Sequence, residues 1–275
     1  MSTRLDFDRG PLLIGMVHLR ALPGSPHAAP MRDVLGRAVT DARTWARGGA
    51  DALLLENFGD RPFVPDGVPP ATIAAMSRVL AEVARVVELP LGVNVLRNDA
   101  EAAIALAAVH DLAFVRVNVH AGVVLSDQGL LVGRAHATVR LRASLECDAK
   151  ILADLRVKHA APLVERPLVD EARELVERAD ADALLLTGPA TGRPPDLAAL
   201  EQVEKALPGT PRLLASGVDA ALIAATRERV AGWIVGTAAK RGGRVEAPAE
   251  LARVRALVHA RDHGASGGRG RAAPR

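Results

Sequence analysis

The chain has 275 residues, 49% of them hydrophobic and 24% charged, which suits a soluble α/β domain of roughly 250 residues with a full core. Its formal charge of +3 is concentrated at the end, where Arg261 to Arg275 holds four Arg against one Asp; the nearly neutral remainder carries no nucleic-acid footprint. Four Phe, two Trp and no Tyr weigh against an all-β sandwich and against the aromatic platforms of single-strand readers.

The one cysteine, Cys147, excludes an intramolecular disulfide and reads as an inert thiol in a helix. No segment approaches 18 uninterrupted apolar residues, and Met1 to Gly10 is too polar for a signal peptide. The expectation is a cytoplasmic protein with no stable membrane insertion.

Along the chain, short apolar runs alternate with longer amphipathic stretches. Strands are expected at Leu12–Val17, Ala52–Glu56, Leu91–Leu96, Ala113–Val119, Lys150–Leu155, Ala183–Thr187, Arg212–Ala215 and Gly232–Val235. Each is rich in Val, Leu or Ile and bounded by Gly, Pro, Asn or Asp, as buried parallel strands are. Between them the helical patterns are Met31–Arg47, Ala71–Val87, Ala100–Val109, Arg134–Glu146, Leu168–Ala179, Leu197–Ala206, Ala220–Arg229 and Ala249–Arg261. Asp99, Asp196, Asp219 and Pro248 open four of them as N-cap or first-turn signals.

Eight strand–helix units in unbroken alternation predict a single-domain (β/α)8 TIM barrel over residues 12–262. Residues 1–11 read as an N-terminal extension and 263–275 as a disordered basic tail. An open doubly wound sheet would need a Gly-rich turn after the first strand, and Met16-Val17-His18-Leu19 supplies none. The extended connections, Leu19–Pro30, Asn57–Pro70 and Ala121–Gly133, all follow strands. A barrel places such loops on its C-terminal face, where barrel enzymes do their chemistry.

Polar residues gather at those strand ends: His18, Glu56 with Asn57, Asn94, Asp154 with Lys158 and His159, and Thr187. The run Val115-Arg116-Val117-Asn118-Val119-His120 alternates, so Arg116, Asn118 and His120 are expected on the lumen face. Grouping Glu56, Arg116 and Asp154 would compensate their buried charges, and a purely structural ion-pair layer would have the same composition. Position favours chemistry. In that reading Glu56 or Asp154 is a general base and His18 or His120 moves a second proton. Lys158 stabilises negative charge or forms a Schiff base. Asn57, Asn94, Asn118, Arg116, Asp127 and Thr187 are the candidate substrate contacts.

Strands seven and eight run into Ser216-Gly217 and Gly236-Thr237, small-residue turns that suit a phosphate held by backbone N–H groups. Lys240 is expected to add charge there. Glu56 and Asp154 are hard oxygen ligands that with a substrate phosphate would suit Mg2+, although no spacing demands a metal. No Walker-type loop, His-Glu-x-x-His pair or Gly-x-Ser-x-Gly elbow occurs.

Several runs resemble the BtpA/SgcQ family of barrel proteins. They are Ile14-Gly15-Met16-Val17-His18-Leu19 with Leu22-Pro23-Gly24-Ser25-Pro26, Glu56-Asn57-Phe58-Gly59-Asp60, and Gly92-Val93-Asn94-Val95-Leu96-Arg97-Asn98-Asp99. Val115 to Gly122 follows, with Ser126-Asp127-Gln128-Gly129-Leu130 and Ala153-Asp154-Leu155-Arg156-Val157-Lys158-His159-Ala160. The last pieces are Thr187-Gly188 with Thr191-Gly192, Ser216-Gly217-Val218 and Ile234-Val235-Gly236-Thr237. The resemblance spans about residues 12–258 and implies a ribulose-phosphate-binding type of barrel. Ala215 departs from the glycine expected before Ser216-Gly217, where an added methyl would crowd the turn.

The family takes its name from the biogenesis or stability of photosystem I, and another branch carries a nucleoside-triphosphatase label. Two expectations stand side by side. One is an enzyme, lyase, isomerase or hydrolase, acting on a small phosphorylated sugar or nucleoside by general acid–base chemistry. The other is a non-catalytic biogenesis factor for a membrane complex, with triphosphate hydrolysis as a further alternative. A homo-oligomer is compatible with either.

Overall fold

The computed structural model describes residues 4–188 and 194–264. Its elements follow in chain order. They are β1 (Leu12–His18), α1 (Met31–Gly48), β2 (Ala52–Glu56), α2 (Pro70–Ala84), β3 (Leu91–Asn94), α3 (Ala100–Val109) and β4 (Phe114–Val117). A hairpin of β5 (Val123–Ser126) and β6 (Gly129–Val132) precedes α4 (Ala135–Ser144), β7 (Lys150–Leu155), β8 (Ala160–Pro162) and α5 (Leu168–Arg173). The chain closes with β9 (Ala183–Thr187), α6 (Leu197–Ala206), β10 (Arg212–Ala215), α7 (Ala220–Thr226), β11 (Gly232–Val235) and α8 (Leu251–His263).

Eight parallel strands close in the order β1-β11-β10-β9-β7-β4-β3-β2, so the eightfold alternation in the sequence does encode a TIM barrel. Strand parity sorts the side chains. In β1, Leu13 and Val17 face the helices, whereas Ile14 and Met16 join Ala52, Leu54, Phe114, Leu152, Leu185, Leu213 and Ile234 in the lumen. One step further along the same inward positions come His18, Glu56, Asn94, Arg116, Asp154 and Thr187. The lumen is therefore apolar below and polar at its C-terminal mouth. Leu5, 3% exposed, packs into the apolar layer, so the N-terminal extension stoppers the base.

Asp99, Asp196 and Asp219 cap α3, α6 and α7, their carboxylates accepting from Ala102, Ala198 and Leu222 N–H. Pro248 does not start α8; the preceding residue is Glu250, without a side-chain cap. The helix at Leu168 stays α-helical only to Arg173 and widens into a π turn over Glu174–Arg178. Cys147 lies beyond the end of α4, half-buried and free. Of the basic tail, only His263, the last residue of α8, and Gly264 fall among the described residues. Thr191 and Gly192 lie outside them.

The connection 121–133 is not a loop. β5 pairs antiparallel with both β6 and β8 into a small sheet beside the mouth. Asp127-Gln128 joins the two strands, followed by Gly129 at φ +94°, a left-handed conformation that glycine adopts without steric cost. The Ser126 hydroxyl accepts from Gln128 N–H and donates to the Gly129 carbonyl.

β3 and β4 end earlier than their apolar runs because asparagine side chains replace the ladder. The Asn98 amide accepts from Val119 N–H at 2.8 Å and donates to Val119 C=O at 3.0 Å. Asn57 does the same to Leu96, at 2.6 and 3.1 Å. Each side-chain amide satisfies a backbone donor and acceptor that a strand neighbour would otherwise take.

Outside the strands, Trp45 of α1 is fully buried and donates its indole N–H to Met16 C=O at 3.1 Å. Gly15 permits this, since a Cβ there would lie 2.3 Å from the indole. Gly15→Ala is expected to lower stability by about 1–3 kcal/mol through overpacking. Gly36→Ala, at an exposed position of α1 where a Cβ meets nothing within 4 Å, is expected to raise it by roughly 0.5–1 kcal/mol. Urea-denaturation midpoints of the two variants should move in opposite directions, and a common shift would contradict this packing account.

Candidate active site

The mouth is organised around an almost fully buried charge. Arg116 is 3% exposed and rises from β4 into the lumen. Its Nε and one terminal N–H donate to the two oxygens of Asp154 at 2.9 and 3.0 Å. The other terminal nitrogen stands 4.0 Å from Glu56. Asn118 donates to Asp154 at 2.9 Å and Asn94 donates to Glu56 at 2.9 Å. Burial pulls the Arg116 pKa down, and Asp154 and Glu56 more than restore it. The guanidinium is therefore the cation shared by the two carboxylates.

That arrangement separates their roles. Both oxygens of Asp154 are engaged by Arg116, and one also accepts from Asn118. Glu56 commits only Oε2, to Asn94 and Arg116. The sequence treats the two acids as equivalent; the geometry leaves Glu56 the freer acceptor. The Arg116 guanidinium lies between the two carboxylates that the sequence offers as oxygen ligands for Mg2+. Among the described residues no group of three or more His, Cys, Asp or Glu is arranged to hold an ion.

Lys158, just past β7, reaches into the same space, and its ammonium makes no hydrogen bond or ion pair with the described residues. Burial depresses its pKa, with Glu56 and Asp154 opposing and Arg116 and Arg97 assisting. His18 is held well below the ordinary imidazole range, first by burial and then by Lys240, Lys158 and Arg116. It is a neutral imidazole at pH 7, and its buried Nδ1 has no partner among the described residues. Gly236 makes room for it: a Cβ there would stand 2.7 Å from His18 Cε1.

His18, Glu56, Arg116 and Lys158 line one small cavity together with Ser216, Gly217, Gly236 and Thr237, about 30 Å³ in volume. Ser216 and Gly217 have φ of +65° and +61°, a turn unusual for serine. Thr237 opens a single 3-10 turn. Ala215 does not crowd this turn, because its methyl points into the apolar lumen layer.

Other expected contacts lie elsewhere. His120 leaves the lumen. Once Asn98 has captured the Val119 backbone, the alternation of β4 is broken, and His120 turns outward to bond Ala179 C=O at 2.8 Å. Its pKa is lowered by burial, and its charged neighbours are Arg142, Asp180 and Asp182 rather than the central acids. Asn57 is fully buried, its amide spent on Leu96 and Asp60. Thr187 donates to Arg156 C=O at 3.2 Å. Asp127 is exposed at the hairpin tip, where its charge acts on Arg97 and His159.

Lys240 does not join the turns at Ser216-Gly217 and Gly236-Thr237 either. It is fully buried and pairs with Asp41 of α1 at 2.5 Å, while Asp41 also accepts from Arg37 and Ala249 N–H. The residue that sequence reasoning missed is Arg97, 4% exposed, which donates to Lys158 C=O at 2.7 Å. It fixes the backbone that carries Lys158. Its position just beyond the β3 run gave no sign that it folds inward.

Comparisons with known proteins agree with this architecture. The BtpA family pattern matches residues 10–263. A relative from Synechocystis sp., described as photosystem I biogenesis protein BtpA, is 40% identical over 92% of this chain and 88% of its own length. An uncharacterized protein of Archaeoglobus fulgidus is 44% identical over 90% of this chain and 97% of its own. Among solved structures, N-(5'-phosphoribosyl)anthranilate isomerase from Pyrococcus furiosus superposes with TM-score 0.56 at 12% identity, covering 92% and 98% of the two chains. Tryptophan synthase from M. tuberculosis does so with TM-score 0.56 at 18% identity, covering 94% and 96%. Those two likenesses concern the fold. By sequence, and by the barrel its residues build, the chain belongs to the BtpA family.

Proposed function

We propose that the protein is an enzyme that acts on a small phosphorylated metabolite by general acid–base chemistry at the barrel mouth. The observation that carries this reading is the single cavity lined by Glu56, Lys158, His18 and both small-residue turns. The turns at Ser216-Gly217 and Gly236-Thr237 receive the phosphate on backbone N–H groups. Glu56 takes a proton from the substrate through its uncommitted oxygen. Lys158, whose charge burial disfavours, donates to or stabilises the oxygen that becomes negative. His18, neutral at pH 7, accepts a hydrogen bond or a second proton. Arg116 and Asp154 hold the acids in place without reacting. Two structural neighbours, a phosphoribosylanthranilate isomerase and a protein described as native KDPGal, make phosphorylated substrates a reasonable first panel.

A second reading has its own support. The Synechocystis relative is described as a photosystem I biogenesis protein, and a non-catalytic accessory role would carry over from it. No helix among the described residues is long and apolar enough to cross a membrane, so this role would be peripheral.

Turnover of a phosphometabolite panel separates the readings. Glu56→Gln and Lys158→Met are each expected to lower kcat by about 10²–10⁴-fold, the usual range for a general acid or base. Thr237→Glu, which sets a carboxylate in the phosphate turn, is expected to weaken phosphate binding at least tenfold by calorimetry. Equal turnover and binding by wild type and all three variants would favour the accessory role.

The pH dependence of stability follows from His18. Its folded pKa lies below the ordinary value of 6.5, so the unfolded chain binds the proton first as pH falls. Stability is then lost from about pH 6.5 downward, until the folded pKa is reached. Above pH 7 the residue contributes no slope. His18→Gln is expected to flatten the profile below pH 6.5 in urea titrations, although His120, shifted in the same direction, keeps part of it. An unchanged profile would show that His18 is protonated equally in both states.

A further inference from the structure

Beside the reaction cavity lies a larger one of about 400 Å³, between the loops that follow β1 and β2 and the segment before α8. His18 lines both. Its other wall carries Arg20, Arg37 and Arg61 against a single carboxylate, Glu246. The arginines are unequal. Arg37 is spent on Asp41 and on Glu246 C=O, at 3.0 Å each. Arg61 meets Glu246 only at 3.4 Å and lies with its guanidinium 5.0 Å from the centre of the Phe58 ring. Arg20 has no hydrogen bond or ion pair with the described residues.

The walls are preformed. Leu19 N–H donates to Glu56 C=O at 2.8 Å, and Gly59 N–H donates to Leu19 C=O at 3.0 Å. A Cβ on Gly59 would lie 2.3 Å from Ala21 N, so the two loops touch backbone to backbone. Phe58 meets His18 edge-on, with ring centres 4.9 Å apart, and Arg61 sits over the ring. With its surroundings occupied in this way, Phe58 is a poor platform for stacking a nucleobase. What the pocket offers an incoming group is positive charge in excess.

From this geometry we infer that the substrate carries two anionic ends. This rests on the phosphate reading above. One phosphate occupies the turns at Ser216-Gly217 and Gly236-Thr237, the carbon skeleton passes His18, and a second anion, phosphate or carboxylate, is met by Arg20 and Arg61. Guanidinium forks match both anions in geometry. Because the second subsite is open to solvent, its contribution falls as ionic strength rises.

Calorimetric titration of the full chain tests this with four probes: inorganic phosphate, glycerol 3-phosphate, 3-phosphoglycerate and fructose 1,6-bisphosphate. The wild type is expected to bind at least one of the last two ten or more times tighter than glycerol 3-phosphate, and less selectively in high salt. Preference for 3-phosphoglycerate identifies the second anion as a carboxylate, and preference for the bisphosphate identifies it as a phosphate. The Arg20→Gln/Arg61→Gln double variant is expected to lose the discrimination while keeping its affinity for inorganic phosphate. Arg20→Lys, with Arg61 intact, retains most of the discrimination, which separates lost charge from lost fold. Binding of the singly anionic probes with no preference for the doubly anionic ones, or a preference unchanged in the double variant, overturns this inference alone. No binding of inorganic phosphate or glycerol 3-phosphate overturns the phosphate reading with it.

Discussion

The guanidinium of Arg116 sets the terms for the mouth of this barrel. A cation so deeply enclosed is costly unless it is paired and hydrogen-bonded, and here Asp154 supplies two contacts, with Glu56 close by. The carboxylates need satisfying in turn, which is the work of Asn118 and Asn94. Five side chains from four strands thereby hold one arrangement. Among the described residues, Oε1 of Glu56 is the carboxylate oxygen in it that accepts no hydrogen bond, and Glu56 is the acid of the pair that lines the cavity. The two acids differ in how many donors each receives, three for Asp154 and one for Glu56.

The same logic of satisfied pairs extends outward. Asn57 and Asn98 each bind the backbone of one residue on the next connection, so the rim is held by side-chain amides acting as surrogate peptides. Beneath it, the Lys240–Asp41 pair ties the segment after β11 to α1 and adds positive potential at His18. Such a rim can place groups closely without the depth of a long β ladder.

Much of this was legible in the sequence, for identifiable reasons. Parallel strands buried on both faces give unbroken apolar runs, and eight of them with intervening helices leave few alternatives. Strand parity then brings Glu56, Arg116 and Asp154 inward together. Reading fails where a side chain stands in for backbone. Nothing in Val119-His120 announces that Asn98 will interrupt the alternation and send the histidine outward. Nor does Asn57 beside Glu56 reveal that its amide is already spent. The hairpin at residues 123–132 was missed although Ser126-Asp127-Gln128-Gly129 is a turn signal, because the apolar runs flanking it are only four residues each. Lys240 and Arg97 share a different cause: long side chains choose their partners across the fold, and local spacing does not record that choice.

The fit between Gly15 and Trp45 also determines how the protein looks to ultraviolet light. There is no tyrosine, and the two tryptophans, Trp45 and Trp233, are both fully enclosed. Their indoles donate to Met16 C=O and to the Thr226 hydroxyl, placing both chromophores at contacts between the strands and the surrounding helices. Intrinsic emission is thus a gauge of how tightly the outer shell grips the barrel. Tryptophan emission is silent about the mouth, where neither indole lies.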